Sequence, residues 1–142
     1  MIYNNERHKQ LVIRLEDLNR EEELELNHYN VEVEEQVFWT HREKFVRIMK
    51  DFLDNVLDFD QFETAFSFLY EEVRKEVQMF KIDLEKINNF QPSTRSYRFA
   101  STPGAIYRQF EEVEDEYCTE QEVKDSVKEA YLKFQEFLNE EQ

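Results

Sequence analysis

Residues 60 to 80 read DQFETAFSFLYEEVRKEVQMF, and this stretch decides the fold class. Its apolar side chains recur at three- and four-residue steps, which places them on one face of an α-helix. Asp60 followed by Glu63 has the spacing of a capping box, in which side chains satisfy the free backbone N–H groups of a helix start. The stretch therefore predicts a helix from about Asp60 to Phe80, with a face formed by Phe62, Phe66, Leu69, Val73, Val77 and Phe80.

Two further stripes predict helices on either side of this one. The upstream stripe predicts a helix ending near Leu57, and the short link at residues 58 and 59 indicates an antiparallel hairpin. Downstream, Thr119 and Glu122 have capping-box spacing and open a C-terminal helix. The stripe residues are Phe45, Ile48, Phe52 and Val56 in the first helix, and Val123, Val127, Ala130, Phe134 and Phe137 in the second.

Residues 90 to 110 carry no acidic side chain but three arginines, together with both prolines and the only glycine. This composition predicts a long loop over Gln91 to Gly104. Within it, Thr102 as cap and Pro103 at the first helical position predict a helix start, with an apolar face formed by Ile106, Phe110, Val113 and Tyr117. A short helix is also expected around residues 82 to 88.

The first 36 residues are more ambiguous. Leu11, Leu15 and Leu18 are spaced for one more helix, while the sequence around Val31 and Val33 fits a strand or a helix, of which we favour the helix. High charge and few apolar anchors make residues 20 to 35 a candidate linker. We therefore expect a partly mobile, helical N-terminal extension over residues 1 to 36 and a bundle domain over residues 37 to 142.

The composition supports the same fold class and narrows the range of partners. One glycine and two prolines in 142 residues are too few for the turns of an all-β domain, so we predict an all-α, single-domain antiparallel bundle of four to five helices with an N-terminal helical extension. The 33 acidic and 18 basic side chains give a net charge of −15, which disfavours direct binding to nucleic acid or anionic membranes. The same negative field attracts a basic protein. The alternative interpretation is that the charge only keeps the protein soluble.

The sequence contains no enzyme signature. Glu25 and His28 have the Glu-x-x-His spacing of di-iron bundles, but the second such motif is absent. Residues 54 to 63 lack the glycine of a calcium loop, and the acidic neighbours of Cys118 would raise the pKa of its thiol. We predict no catalytic residue, no metal ligand, no cofactor and no small-molecule substrate.

The cellular location is predicted from three features. No secretory leader is recognisable at the N-terminus, and no stretch is long and apolar enough to span a bilayer. A single cysteine cannot form an internal disulfide, which favours a reducing compartment. We expect a cytoplasmic protein, with the plastid stroma or another organelle interior as the alternative.

Two groups of residues are candidates for partner binding. The acidic group is Glu111, Glu112, Glu114, Asp115, Glu116, Glu120 and Glu122, which could mimic a polyanion for a basic pocket or simply form a solvated helix face. The second group is Arg95, Tyr97 and Arg98, whose residue types are enriched in binding hot spots. We expect Phe90, Tyr97 and Phe99 to pack against the bundle while the arginines face acidic helices; arginines projecting into solvent would instead favour a binding surface.

The order of several motifs resembles the colicin D type of bacterial immunity proteins over roughly residues 45 to 138. The motifs are Phe52-Leu53, Phe62-x-x-x-Phe66-x-x-Leu69-Tyr70, a helix from Leu84 to Ile87, Phe90-Gln-Pro92, and a C-terminal helix with Val123, Val127 and Ala130. Members of that family are small acidic helical proteins that cover the basic active site of a nuclease toxin. The resemblance implies an immunity-like inhibitor; the alternative is a structural or assembly subunit anchored by its N-terminal segment.

Overall fold

A computed structural model of the chain describes residues 2–93 and 96–139, with side chains described as far as residue 137. The all-α prediction is confirmed, since the described residues form helices and no strand. Within these ranges the chain forms seven α-helices: α1 (Asn5–Ile13), α2 (Arg20–Thr40), α3 (Arg42–Leu53), α4 (Phe59–Ile82), α5 (Leu84–Asn88), α6 (Ser96–Glu114) and α7 (Glu120–Asn139). A short 3-10 turn, Leu15–Asp17, follows α1.

Side-chain caps explain where several helices begin. The predicted box at Thr119 and Glu122 is present at α7, because each side chain accepts a hydrogen bond from the backbone N–H of the other residue. At α4 the prediction is wrong by two residues: the reciprocal pair is Asp58 and Gln61, at 2.8 and 2.9 Å, and not Asp60 and Glu63. Asp58 therefore marks the helix start.

The largest correction concerns residues 96 to 104, which form the first half of α6 and not a loop. Helix α6 begins at Ser96, so Pro103 lies inside the helix and does not open it. Phe99, Pro103, Ile106 and Phe110 are all buried at helical spacing, so one apolar stripe runs through the proline. Burial of this face outweighs the backbone hydrogen bond that proline cannot donate.

The Cα positions divide the chain into two compact units. The first unit comprises Met1–Trp39 and Val73–Ala100. Its core includes Leu11, Leu26 and Tyr29, against which Tyr3 and Leu18 pack. Residues 20 to 35, the predicted linker, lie in one continuous helix. The expected helix through Leu15 is interrupted there, since Leu15 lies in the 3-10 turn and is exposed.

The second unit comprises Thr40–Glu72 and Ser101–Gln142. Its core is aromatic: Phe52 and Phe62 stack with ring centroids 4.2 Å apart, and Phe66 lies between Phe45, at 5.2 Å, and Phe110, at 5.8 Å. Such contacts add to the free energy gained by burying the rings themselves. Helix α3 packs against α7 in this unit.

Candidate functional site

The acidic candidates lie at the junction of α6 and α7, in the second unit. Helix α6 ends at Glu114, and α7 begins at Glu120. All seven predicted acids of this group are exposed. We define the acidic junction as these seven residues together with Tyr117, whose side chain is 84% exposed in the middle of the turn. The prediction that Tyr117 lies on the apolar face of a helix is therefore wrong, because the chain turns after Glu114 and leaves the ring in water.

The backbone of the junction has a Schellman geometry. The N–H of Glu116 donates to the carbonyl of Val113 at 3.1 Å, and the N–H of Tyr117 donates to the carbonyl of Glu112 at 2.8 Å. This motif places Glu116 in the left-handed region with φ of 65°. Glycine normally occupies that position, because a β-carbon there meets the following carbonyl oxygen. The turn therefore holds a carboxylate outward at some cost in backbone strain.

The turn between α3 and α4 ends the same way. Asn55 has φ of 61°, its N–H donates to Phe52, and the N–H of Val56 donates to Asp51. Asparagine tolerates this region better than glutamate does. This turn explains why α3 ends at Leu53 and not near Leu57, and why Val56, predicted to lie on the apolar face, is 66% exposed.

The two turns lie at the same end of the second unit. Lys124 of α7 donates to the side-chain oxygen of Asn55 at 2.7 Å, and its Nζ lies 5.1 Å from the centre of the Phe52 ring. A shallow depression of about 320 Å³ separates the turns, lined by Asp58 and Glu120 among others. The acidic junction is thus extended by the carboxylates near the start of α4.

The carboxylates of this end repel one another. The pKa of Glu63 is raised above its ordinary value, first by burial and then by the charges of Asp60, Glu114 and Glu120. These four carboxylates come from three helices, so the negative field extends beyond the linear run in the sequence. Sequence reasoning missed Asp60 and Glu63 as members of this surface, because it placed them in a helix cap.

Cys118 lies in the same turn but is not suited to nucleophilic chemistry. Its side chain is buried, and burial together with Glu122 and Glu112 raises the pKa of the thiol. The thiolate is the reactive form, so a raised pKa keeps the group inert at neutral pH. Acidic side chains do raise this pKa, but burial comes first among the causes, and the acids that act are Glu122 and Glu112.

The second predicted group lies elsewhere. Tyr97 and Arg98 lie in the first turns of α6 and belong to the first unit, and both are exposed. Phe90 and Phe99 are buried as expected, but Tyr97 is 61% exposed, so its predicted packing is wrong. Arg95 lies outside the described residues. The structure therefore does not bring Tyr97 and Arg98 into the same unit as the acidic junction.

The residues considered for metal binding have other partners. Glu25 accepts two hydrogen bonds from Nε of Arg7, at 2.7 and 3.1 Å, and His28 pairs with Glu32 at 3.0 Å. Within residues 2–93 and 96–139, no three His, Cys, Asp or Glu side chains are grouped so that they could hold a metal ion. In the same ranges, no helix combines the length and apolar character needed to cross a membrane.

Comparison with known proteins adds no assignment. No family model matches the chain, and neither the curated proteins nor the solved structures contain a match to it.

Proposed function

We propose that this chain is a non-catalytic protein-binding module that uses the acidic junction to cover a cationic site on a basic protein. Following the resemblance in its order of motifs, we propose an immunity-like inhibitor with a nuclease toxin as the partner. The observation that carries the proposal is the exposure of seven carboxylates around the turn between α6 and α7, where mutual repulsion among neighbouring carboxylates adds to burial in raising the pKa of Glu63. A cationic surface would relieve that repulsion on binding.

The exposed ring of Tyr117 supports a docking role for the same surface. Interfaces depend on a few large anchors that become buried, with charged groups setting orientation and association rate. Tyr117 offers such an anchor, and the surrounding carboxylates would steer a basic partner toward it. A cytoplasmic location, or the interior of a plastid or another organelle, fits a chain whose single cysteine, Cys118, cannot form an internal disulfide.

The test is a calorimetric titration of the chain with a catalytically inactive nuclease domain of the colicin D type. The double variant Glu114→Lys/Glu116→Lys is compared with Glu129→Lys/Glu136→Lys, which changes the net charge equally on exposed positions further along α7. We expect the junction variant to lose at least tenfold in affinity and the control variant less than threefold. Affinity of the unmodified chain should also fall as salt rises from 50 to 300 mM.

Equal losses in the two variants would show that only the overall charge matters and would refute the docking site. Absence of binding to every nuclease tested, with the junction still required for a different basic protein, would refute the toxin assignment alone. The first outcome tests whether the acidic junction is the binding surface, and the second tests whether a nuclease toxin is the partner.

A second candidate function is an assembly subunit anchored by its N-terminal segment. Five large aliphatic side chains of the N-terminal segment, residues 2 to 36, are at least half exposed: Ile2, Ile13, Leu15, Leu24 and Val31. Such residues gain free energy when a partner covers them. Replacing Leu15 and Leu24 with glutamate should release the chain from a larger complex in size-exclusion chromatography of native extracts, whereas an unchanged elution volume would contradict this role.

A further inference from the structure

The first unit contains a cleft of about 440 Å³ that lies apart from the acidic junction in sequence. One wall comes from the residues around the start of α1, a second from α2, and a third from the segment that leads into α6. The side chains used below are Tyr3, Asn5, Glu32, Glu35, Phe90 and Tyr97. The cleft therefore combines aromatic rings with two carboxylates.

The aromatic wall is fixed in place before any ligand arrives. The hydroxyl of Tyr3 is 2.6 Å from Nδ1 of the buried His8. Its ring makes edge contacts with Tyr29 at 5.2 Å and with Phe90 at 5.0 Å. Phe90 is itself buried, so this wall is part of the core and does not need to be ordered by binding.

The backbone of the third wall is also engaged within the unit. The N–H of Ser93 donates to the side chain of Gln36 at 2.5 Å, and the hydroxyl of Ser96 donates to the carbonyl of Ser93 at 2.8 Å. Donors of this wall are therefore directed at protein acceptors. The cleft contains donors, such as the side-chain amide of Gln91, as well as acceptors, and its charged groups are all acceptors.

Three of these acceptors line the cleft. Glu35 has neither a hydrogen bond nor an ion pair with any residue that the structure describes, while Glu32 pairs with the exposed His28. Burial, followed by the charges of Glu32 and Glu34, raises the pKa of Glu35, and the charge of His28 opposes this shift only in part. Asn5 donates through Nδ2 to the carbonyl of Asn88, but its buried Oδ1 accepts no hydrogen bond.

Hydrogen-bond acceptors and aromatic rings that line one cleft restrict the chemical groups that can bind there. An anion would be repelled by both glutamates, and a neutral apolar group would leave Glu35 without a hydrogen-bond partner in a partly buried site. A cation is attracted by the carboxylates and by the negative faces of aromatic rings. Tyr97, which is 61% exposed at this cleft, would be covered by an occupant of that kind.

We propose that this cleft binds an organic cation, an ammonium or guanidinium group, between the carboxylates of Glu32 and Glu35 and the rings of Tyr3 and Tyr97. The group can come from a free small amine or from a lysine or arginine side chain of a peptide. The site is independent of the proposed function, because it is built entirely from residues of the first unit.

The experiment is a titration of the ¹⁵N-labelled chain followed by NMR amide shifts. The probes are N-acetyl-arginine amide and tetramethylammonium chloride, with potassium chloride at equal ionic strength as the reference. We expect saturable shifts at the amides of Tyr3, Glu35 and Tyr97 with the organic cations but not with potassium. A third probe, a Gly/Ser peptide with one central arginine, distinguishes the sources: tenfold tighter binding than the amide indicates a peptide, and equal binding a free cation.

Two variants and a matched control locate the site. Glu35→Gln should weaken binding about tenfold, because it removes a charged hydrogen-bond acceptor, and Tyr97→Ala should weaken it about threefold to tenfold. Glu34→Gln removes the same charge from the neighbouring exposed position and should change the affinity less than twofold. Equal effects of Glu34→Gln and Glu35→Gln, or shifts identical to those of potassium, would overturn the proposal.

Discussion

Replacing Glu116 with glycine should make the protein more stable. Glu116 is the left-handed residue of the turn that closes α6, with φ of 65°. For a residue with a β-carbon, this conformation costs roughly 1–2 kcal/mol, which glycine avoids. Glycine also gains freedom in the unfolded chain, which takes back about 0.5–1 kcal/mol. The net expectation is an increase of about 0.5–1 kcal/mol in the free energy of unfolding.

Urea denaturation followed by circular dichroism measures this change, and a thermal scan should show a midpoint higher by about 2–3 °C for a chain of this size. Glu116→Gln is the control for charge, because it removes the carboxylate but keeps the β-carbon in the strained region. Asn55→Gly is the control for geometry, since Asn55 occupies the equivalent position with φ of 61° and asparagine tolerates it. We expect little change in either control.

If Glu116→Gly gained no more stability than Glu116→Gln, the claim that Glu116 is in a strained backbone conformation would be refuted. That result would assign any gain to relief of carboxylate repulsion and not to the backbone. A gain in Asn55→Gly as large as that in Glu116→Gly would likewise show that the residue type at this position is unimportant.

Two further changes test the fold itself. Gly104→Ala should stabilise α6 by about 0.5–1 kcal/mol in urea denaturation, because an added Cβ would lie 3.4 Å from the Tyr70 hydroxyl, an ordinary contact, and a loss would contradict that geometry. For His8, burial lowers the pKa below its ordinary 6.5. The neutral imidazole therefore contributes fully to the free energy of unfolding above pH 6.5, and this contribution is lost as the pH falls through the lower pKa of the folded state. The stability difference between the wild type and His8→Gln should therefore shrink between pH 7.5 and 5; a constant difference would exclude a buried neutral imidazole.

The helices that could be predicted from the sequence are those in which local signals agree. In α4 and α7 the apolar stripe, the cap and the flanking turn all indicate one helix, and the structure has both. The observed start of α4 differs from the predicted one because Asp58 and Asp60 are equally plausible caps in the sequence. Only the observed pairing of Asp58 with Gln61 distinguishes them. Local information fixes the existence of an element better than its ends.

The first half of α6 could not be predicted because local and tertiary signals conflict there. Serines, Pro103 and Gly104 favour a loop by composition, but burial of Phe99 and Pro103 continues the apolar face that Ile106 begins. Helix α2 shows the same effect with charge: its many glutamates suggest a linker, while Leu26, Tyr29 and Val33 are buried at helical spacing. In both helices, burial of an apolar face at helical spacing outweighs the local composition.

The acidic junction and the cleft of the first unit also differ in how far the sequence alone reveals them. The acidic junction is mostly contiguous, so its members were visible as a run of carboxylates, whereas Glu63 joins it only through folding. The cleft unites Tyr3, Glu35 and Tyr97, which are far apart in sequence, and no spacing rule connects them. Only the packing of the first unit places these three side chains around one opening.

Several costs to stability coincide at the acidic junction. Glu116 adopts a conformation that glycine would adopt more easily, the carboxylate of Glu63 is repelled by its neighbours, and the ring of Tyr117 remains in water. Each cost could be removed by a single substitution without altering the core. Unfavourable features gathered in one place are typical of functional surfaces. The trade-off can be measured directly, because Glu116→Gly should raise the stability of the protein while weakening its binding of a basic partner. If Glu116→Gly gained stability at unchanged affinity, the backbone strain at this turn would have no role in binding.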